Sequence, residues 1–458
     1  MSRNFILTLA FLLFACPILA ALPPKQAQQL FDRARPSLVA VQYTLEGEFG
    51  RRDLTGPGIV IAENGLVVTP LALFPIAIPD EQMKDFKIIL PGDQETELPA
   101  IFLGRDERSD LAFLKTKDPQ KWPAISFQDS PVNIADEVIS IGLLPKETGY
   151  KPYYASAIVS AQLRGPIPQT LVSPDGLTGV GSPVFNAQGK AIGLVYAQPK
   201  QPILLGGASE DAQGFSPLPP RFFVPARDFL PSLADPPTGK PLQIPWLAAQ
   251  LTGPSKEVAE YFNLKNVPVA LVGEVIPKNA AEQAGLKSGD KIVKLNAQPL
   301  ERGDEPNDTP RIMIRAIRRM NVGDKITLTV LRTRGQPTID LTVTLDEQPR
   351  QANLAKRFYA EDLGLSVREA LFADTYLKRL PQDTPGVVVA YIRPASAAAT
   401  AALRAGDFVK ELNSVAVQTL DQFKTQYQGF RKARPKEVVV LVVVREGTTQ
   451  VINIDPPQ

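Results

Sequence analysis

The chain is 458 residues long, more than one hydrophobic core organises, so several domains are expected. Its 44% hydrophobic and 21% charged residues are a globular composition, and a net charge of +2 supplies no field that would gather nucleic acid or an anionic lipid surface. It contains no histidine, which excludes every His-based catalytic triad and every His-containing metal site; no cofactor or metal is expected.

Residues 1–20 read as a secretory signal peptide. Arg3 supplies the positive start, Phe5 to Ala20 is apolar, and small residues place cleavage after Ala20 or Ala21. Export to the periplasm or the medium is therefore expected. A lipoprotein signal is the alternative, with Cys16 as the lipid anchor following Leu13 and Ala15, although Phe14 is bulky for that motif. Cleavage after Ala20 also removes the one cysteine of the chain, leaving the mature protein without disulfides.

A short amphipathic helix is predicted from Lys25 to about Arg35, stopped by Pro36. Between Ser37 and about Ala197, short apolar runs such as "SLVAVQYTL", "GIVIAENGLVVT", "DLAFLKT" and "SPVFNAQGKAIGLVYA" alternate with Gly, Asn and Pro. That pattern predicts an all-β barrel or sandwich. Pro199 to Pro245 reads as loop and linker, interrupted by one strand candidate, "RFFVPA".

The C-terminal half repeats itself. Val272 to Leu300 matches Val389 to Val417, with Pro277 against Pro394, Gly289-Asp290 against Gly406-Asp407, and Asn296 against Asn413. Each copy continues into a helical stretch and two strands, so the unit is a duplicated domain. "AGLKSGDKIVKLN" resembles the PDZ domain. That resemblance implies that a peptide adds as a strand to a sheet edge, its terminal carboxylate held by a loop of backbone N–H groups. The loop corresponds to Leu363, Gly364 and Leu365 in the second copy, and to Leu247, Ala248 and Ala249 in the first, where Ala248 takes the Gly position. Arg311, Arg315, Arg318 and Arg319 recur at helical spacing beside the first groove and read as a solvated face.

With two such domains behind it, the β-rich half resembles the HtrA/DegP family of trypsin-fold serine proteases. The implied fold is mainly β: a chymotrypsin-like double β-barrel over 25–235, then α+β PDZ domains over 240–349 and 350–458. "SDLAFLK" matches the family's Asp motif and puts Asp110 at that triad position. "GLVVTPLAL" aligns Ala72 with the His, and "TGVGSPVFN" aligns Val180 with the Ser. Ala72 accepts no proton and Val180 carries no nucleophilic oxygen, so the resemblance is to a catalytically inactive member. Thr178 stands where the family's oxyanion loop has Gly, a replacement expected to strain the backbone. Ser182 matches the small residue before Pro183, and no lysine lies beside it in sequence to make a Ser-Lys pair.

The resemblance implies a binder of polypeptides or protein C-termini, serving as adaptor, chaperone or regulator in protein quality control. It also implies active HtrA-like proteases as partners and a homotrimer as the assembly. Two alternatives remain: an active HtrA-type endopeptidase with non-standard catalytic residues, and an oligomeric scaffold.

Overall fold

The computed structural model describes residues 22–455 except 48–49, 77, 93–95, 197–220, 241, 306, 352–353, 378 and 382–383. The signal segment, Cys16 and the first half of the Pro199–Pro245 stretch lie outside the described residues.

Pro24–Ala34 is a helix that begins on a proline, which needs no amide donor in a first turn, and it buries Leu30 and Ala34. Twelve strands follow. The first six are β1 (Leu38–Gly47), β2 (Gly50–Ala62), β3 (Leu66–Pro70), β4 (Met83–Leu90), β5 (Thr96–Asp106) and β6 (Leu111–Thr116). They close into a barrel in the order β1-β2-β3-β6-β5-β4. Alternate residues Val39, Val41, Tyr43 and Leu45 of β1 point inward, the period of two that a pleated strand imposes. Tyr43, Phe74 and Phe102 stack there, with centroids 4.8 and 4.9 Å apart.

The second barrel is built from β7 (Glu137–Leu143), β8 (Pro152–Leu163), β9 (Gln169–Ser173), β10 (Pro183–Asn186), β11 (Ala191–Tyr196) and β12 (Phe222–Pro225). Its order is β10-β11-β12-β9-β8-β7. The strand candidate "RFFVPA" is β12, which pairs with both β11 and β9 and completes the barrel around the buried ring of Phe223. Leu38, Ile59 and Phe113 of one barrel meet Ile139, Phe185 and Leu194 of the other in a shared core.

Each repeat then forms its own sheet and core. In the first, strands run in the order Ala249–Thr252, Ala270–Val275, Lys291–Leu295, Lys325–Leu331, Ile339–Thr344, with helix Asp308–Arg318 alongside. In the second the order is Arg357–Ala360, Leu365–Glu369, Val387–Ile392, Phe408–Leu412, Val439–Arg445, Thr448–Ile454, with helix Leu420–Ala433. The repeated Gly-Asp pair has the same task in both. Gly289 and Gly406 take φ of +85° and +89°, angles that favour glycine. The following Asp is buried and ion-paired to an arginine at the end of a strand or just past it, Asp290 to Arg332 at 2.8 Å and Asp407 to Arg445 at 2.5 Å. Asn296 and Asn413 accept from the Thr327 and Val440 amides at 2.9 and 2.8 Å.

The arginine stripe departs from expectation. Arg315 of helix Asp308–Arg318 is largely buried, and it and the still-exposed Arg319 of the cap both reach Asp228, at the end of the turn after β12, at 2.5 and 2.8 Å. Helical spacing put the two guanidinium groups on one face, and the second barrel supplied an anion for that face.

Candidate functional site between the barrels and at the repeat edges

Ala72 lies in the 3-10 turn Leu71–Leu73 that follows β3, Asp110 ends the turn between β5 and β6, and Val180 lies in the turn ahead of β10. All three line one cleft of about 340 Å³ between the barrels, whose other walls include Leu71, Ile76, Ile167, Leu194 and Phe229. The cleft is apolar except around Asp110.

Asp110 holds the two barrels together at this point. Its φ is +56°, a left-handed angle that Asp tolerates better than most residues. Its carbonyl accepts from the Leu71 amide at 2.9 Å, and its carboxylate accepts from the Tyr196 hydroxyl, at the end of β11, at 2.8 Å. Burial, reinforced by the Asp110 charge, holds the Tyr196 hydroxyl well above the usual phenol range. Tyr196 was not singled out in the sequence; no local motif joins it to a residue 86 positions away.

The turn from Thr178 to Ser182 is closed upon itself. The Thr178 amide donates to the Ser140 hydroxyl of β7 at 2.8 Å. The Gly181 amide donates to the Val195 carbonyl at 2.8 Å and the Ser182 amide to the Gly179 carbonyl at 3.1 Å. Gly181 is required: its φ is +86°, and an added Cβ would lie 2.3 Å from Cγ of Pro70. Thr178 corrects an expectation, since it does not take a positive φ and carries no backbone strain of that kind. What distinguishes it is a fully buried side chain and an amide already bonded. Ser182 is buried, at 3% exposure, against Gly142 rather than on the cleft wall.

The two carboxylate-loop candidates share a shape. Leu247 and Leu363 are buried, and Ala248 and Gly364 take φ of +58° and +64°. Their carbonyls accept from the Ile276 and Arg393 amides at 3.0 and 2.8 Å. Ala249 and Leu365 each begin the strand that follows. Their edges differ. Among the described residues, strand Ala249–Thr252 is paired only with Ala270–Val275, whereas Leu365–Glu369 is paired with Val387–Ile392 on one side and with Arg357–Ala360 on the other. Among the described residues no group of three or more Asp, Glu, Cys or His is arranged to hold a metal ion.

Two closed barrels with a cleft between them, followed by two repeats that each place a left-handed loop ahead of a strand, define a trypsin-like double barrel joined to PDZ-type domains. The comparisons agree: the trypsin-like peptidase domain model matches residues 56–194, and the PDZ domain model matches 253–345 and 362–455. The chain is thus a trypsin-like peptidase domain with two PDZ domains, with homologues named as DegP-like serine endoproteases and HtrA-type structural neighbours. It is 27% identical over 405 residues to a "Probable periplasmic serine endoprotease DegP-like" of Rhizobium meliloti (strain 1021), covering 86% of this chain and 74% of the relative. A protein of the same name from Pseudomonas fulva (strain 12-X) is 28% identical over 457 residues, covering 95% and 86%. Among solved structures, "HtrA-type protease AlgW with tripeptide" superposes with a TM-score of 0.52 at 21% identity, covering 71% of this chain and 98% of that one. "HtrA-type protease AlgW with decapeptide" gives 0.51 at 20% identity, covering 71% and 99%. Among the described residues no helix is long and apolar enough to cross a membrane.

Proposed function

We propose that the chain is an exported, non-catalytic relative of the HtrA-type proteases that binds polypeptides through its PDZ domains, as an adaptor, chaperone or regulator in periplasmic protein quality control. The observation that carries this reading is the cleft shared by Ala72, Asp110 and Val180 in a chain without histidine. A serine hydroxyl attacks only when a neighbouring base takes its proton, and an acidic partner in a triad works by orienting that base. Here the acid is bonded to a tyrosine hydroxyl instead. The relatives' names support export to the periplasm, and the peptides in the names of the two AlgW structures support peptide binding.

The names of those relatives also favour the alternative of an active endopeptidase. Its hydroxyl candidates in the turn before β10 are Thr178 and Ser182, and both are buried away from the cleft. Purified mature chain incubated with unfolded casein between about pH 5 and pH 9, the range over which a general base would titrate, is expected to release no peptides above background. Turnover that survives repurification and disappears in Ser182→Ala would overturn the reading.

A further inference from the structure

We propose that Arg357–Ala360 is a built-in ligand of the second PDZ domain, which closes that domain's groove and displays the class of sequence the groove accepts. That class is a chain ending in a small apolar residue with an aromatic residue two positions before it. The proposal rests on the peptide-binding reading above and deepens it.

Four observations converge. First, the strand lies where an added peptide strand would lie. It runs antiparallel to Leu365–Glu369, with Ala360 opposite Leu365 and Phe358 opposite Val367, on the edge that Val387–Ile392 leaves open. Ala360 therefore stands beside the first residue after the loop, the place of a terminal residue in strand addition.

Second, the side chains read as a ligand's. Ala360 is 2% exposed in the domain core, and Phe358, on the same face, packs on helix Leu420–Ala433 with its ring 6.2 Å from Phe423 and 5.8 Å from Tyr427. Third, the loop is already engaged. The Gly364 amide donates to the Glu361 carbonyl at 3.1 Å, so the chain's own carbonyl oxygen sits where a carboxylate oxygen would be received. The turn is clamped to the helix because Asp362 pairs with Arg431 at 2.9 Å and accepts from the Tyr427 hydroxyl.

Fourth, the first PDZ domain shows no such strand among the described residues. The residues just ahead of its loop, Pro245–Trp246, pair away with Asp346–Glu347, and among the described residues Ala249–Thr252 keeps one bare edge. The inserted strand is an addition to the fold, not a requirement of it.

The test uses the full chain and a labelled synthetic peptide of the sequence Lys356–Ala360 with a free carboxylate, with its amidated form as control. Fluorescence anisotropy reads affinity, and hydrogen exchange locates binding at 249–252 or 365–369. In the wild type, amides of 365–369 should be protected without peptide and gain no protection when it is added. Asp362→Asn, which cuts the clamp and leaves the core untouched, and Phe358→Ala, which removes the anchoring ring, should each raise affinity at 365–369 about tenfold or more, for the free carboxylate only. Wild-type amides of 365–369 that exchange freely, or equal affinities at that site in wild type and both variants, would overturn the proposal. If the variants lose protection at 365–369 and yet no peptide binds at either domain, the strand is a closure without a ligand role, and the peptide-binding reading fails with it.

Discussion

At the scale of single residues, Asp110 changes meaning when its partner is seen. The motif around it was legible because Ser109 to Lys115 is a contiguous string, and Leu111–Thr116 is indeed a strand. Its bond to Tyr196 was not, because cross-barrel proximity leaves no periodic trace in sequence. A hydrogen bond to a charged acceptor contributes about 1.5–3 kcal/mol, so this pair is a structural tie between the barrels. The raised Tyr196 pKa has a signed consequence. The folded state holds the phenol proton more tightly than the unfolded chain does, so the stabilisation is complete below the ordinary value of 10.0 and is lost as pH rises above it. Urea denaturation from pH 7 to 11 should show stability falling steeply in the alkaline limb. Tyr196→Phe should flatten that limb and, by leaving Asp110 without its donor, lower stability at pH 7 by about 1–3 kcal/mol. An alkaline limb unchanged in Tyr196→Phe would assign the titration elsewhere.

At the scale of elements, the repeats were legible because their turns demand particular residues: a glycine with positive φ, then an aspartate that is buried and paired. Strand Arg357–Ala360 was not, since "KRFYAED" carries too many charges and too short an apolar alternation to announce a strand. The turn from Thr178 to Ser182 lies between these cases. Its composition marked it, and only the hydrogen bonds say what it has become. Reinstating the side chains with Ala72→His and Val180→Ser should therefore not restore proteolysis. An oxyanion needs aimed amides, and loss of one donor costs about a hundred- to thousand-fold. The Thr178 amide, which the family resemblance implies as one donor, is bonded to Ser140 within the second barrel. Casein cleavage by the double variant at even a hundredth of an active relative's rate would show that the turn can still supply its donors.

At the scale of the whole molecule, the first PDZ domain is held to the barrels rather than strung after them. The arginines of helix Asp308–Arg318 were visible in the sequence; their anion was not, because Asp228 belongs to the stretch that composition marks as linker. In the folded chain Arg315 donates to the Arg108 and Pro166 carbonyls at 3.2 and 2.7 Å and to Asp228 at 2.5 Å, joining that helix to both barrels. The Arg315 and Asp228 side chains are 13% and 6% exposed, and burial pulls the Arg315 pKa below its ordinary value while Asp228 opposes the shift. Breaking such a pair strands a desolvated charge, here a guanidinium with a second one beside it, and typically costs about 3–5 kcal/mol. Asp228→Ala should accordingly loosen the first PDZ domain from the barrels. Small-angle scattering should report a larger radius of gyration, and thermal unfolding should split into separate transitions for the barrels and the PDZ domains. Arg315→Ala with Arg319→Ala removes the cations and should produce the same separation. Adding Asp228→Ala to it should cost little more, because the three residues act as one unit. Unchanged scattering and a single transition in Asp228→Ala would mean that the remaining contacts, such as Arg164 with Asp304, hold the domains without it.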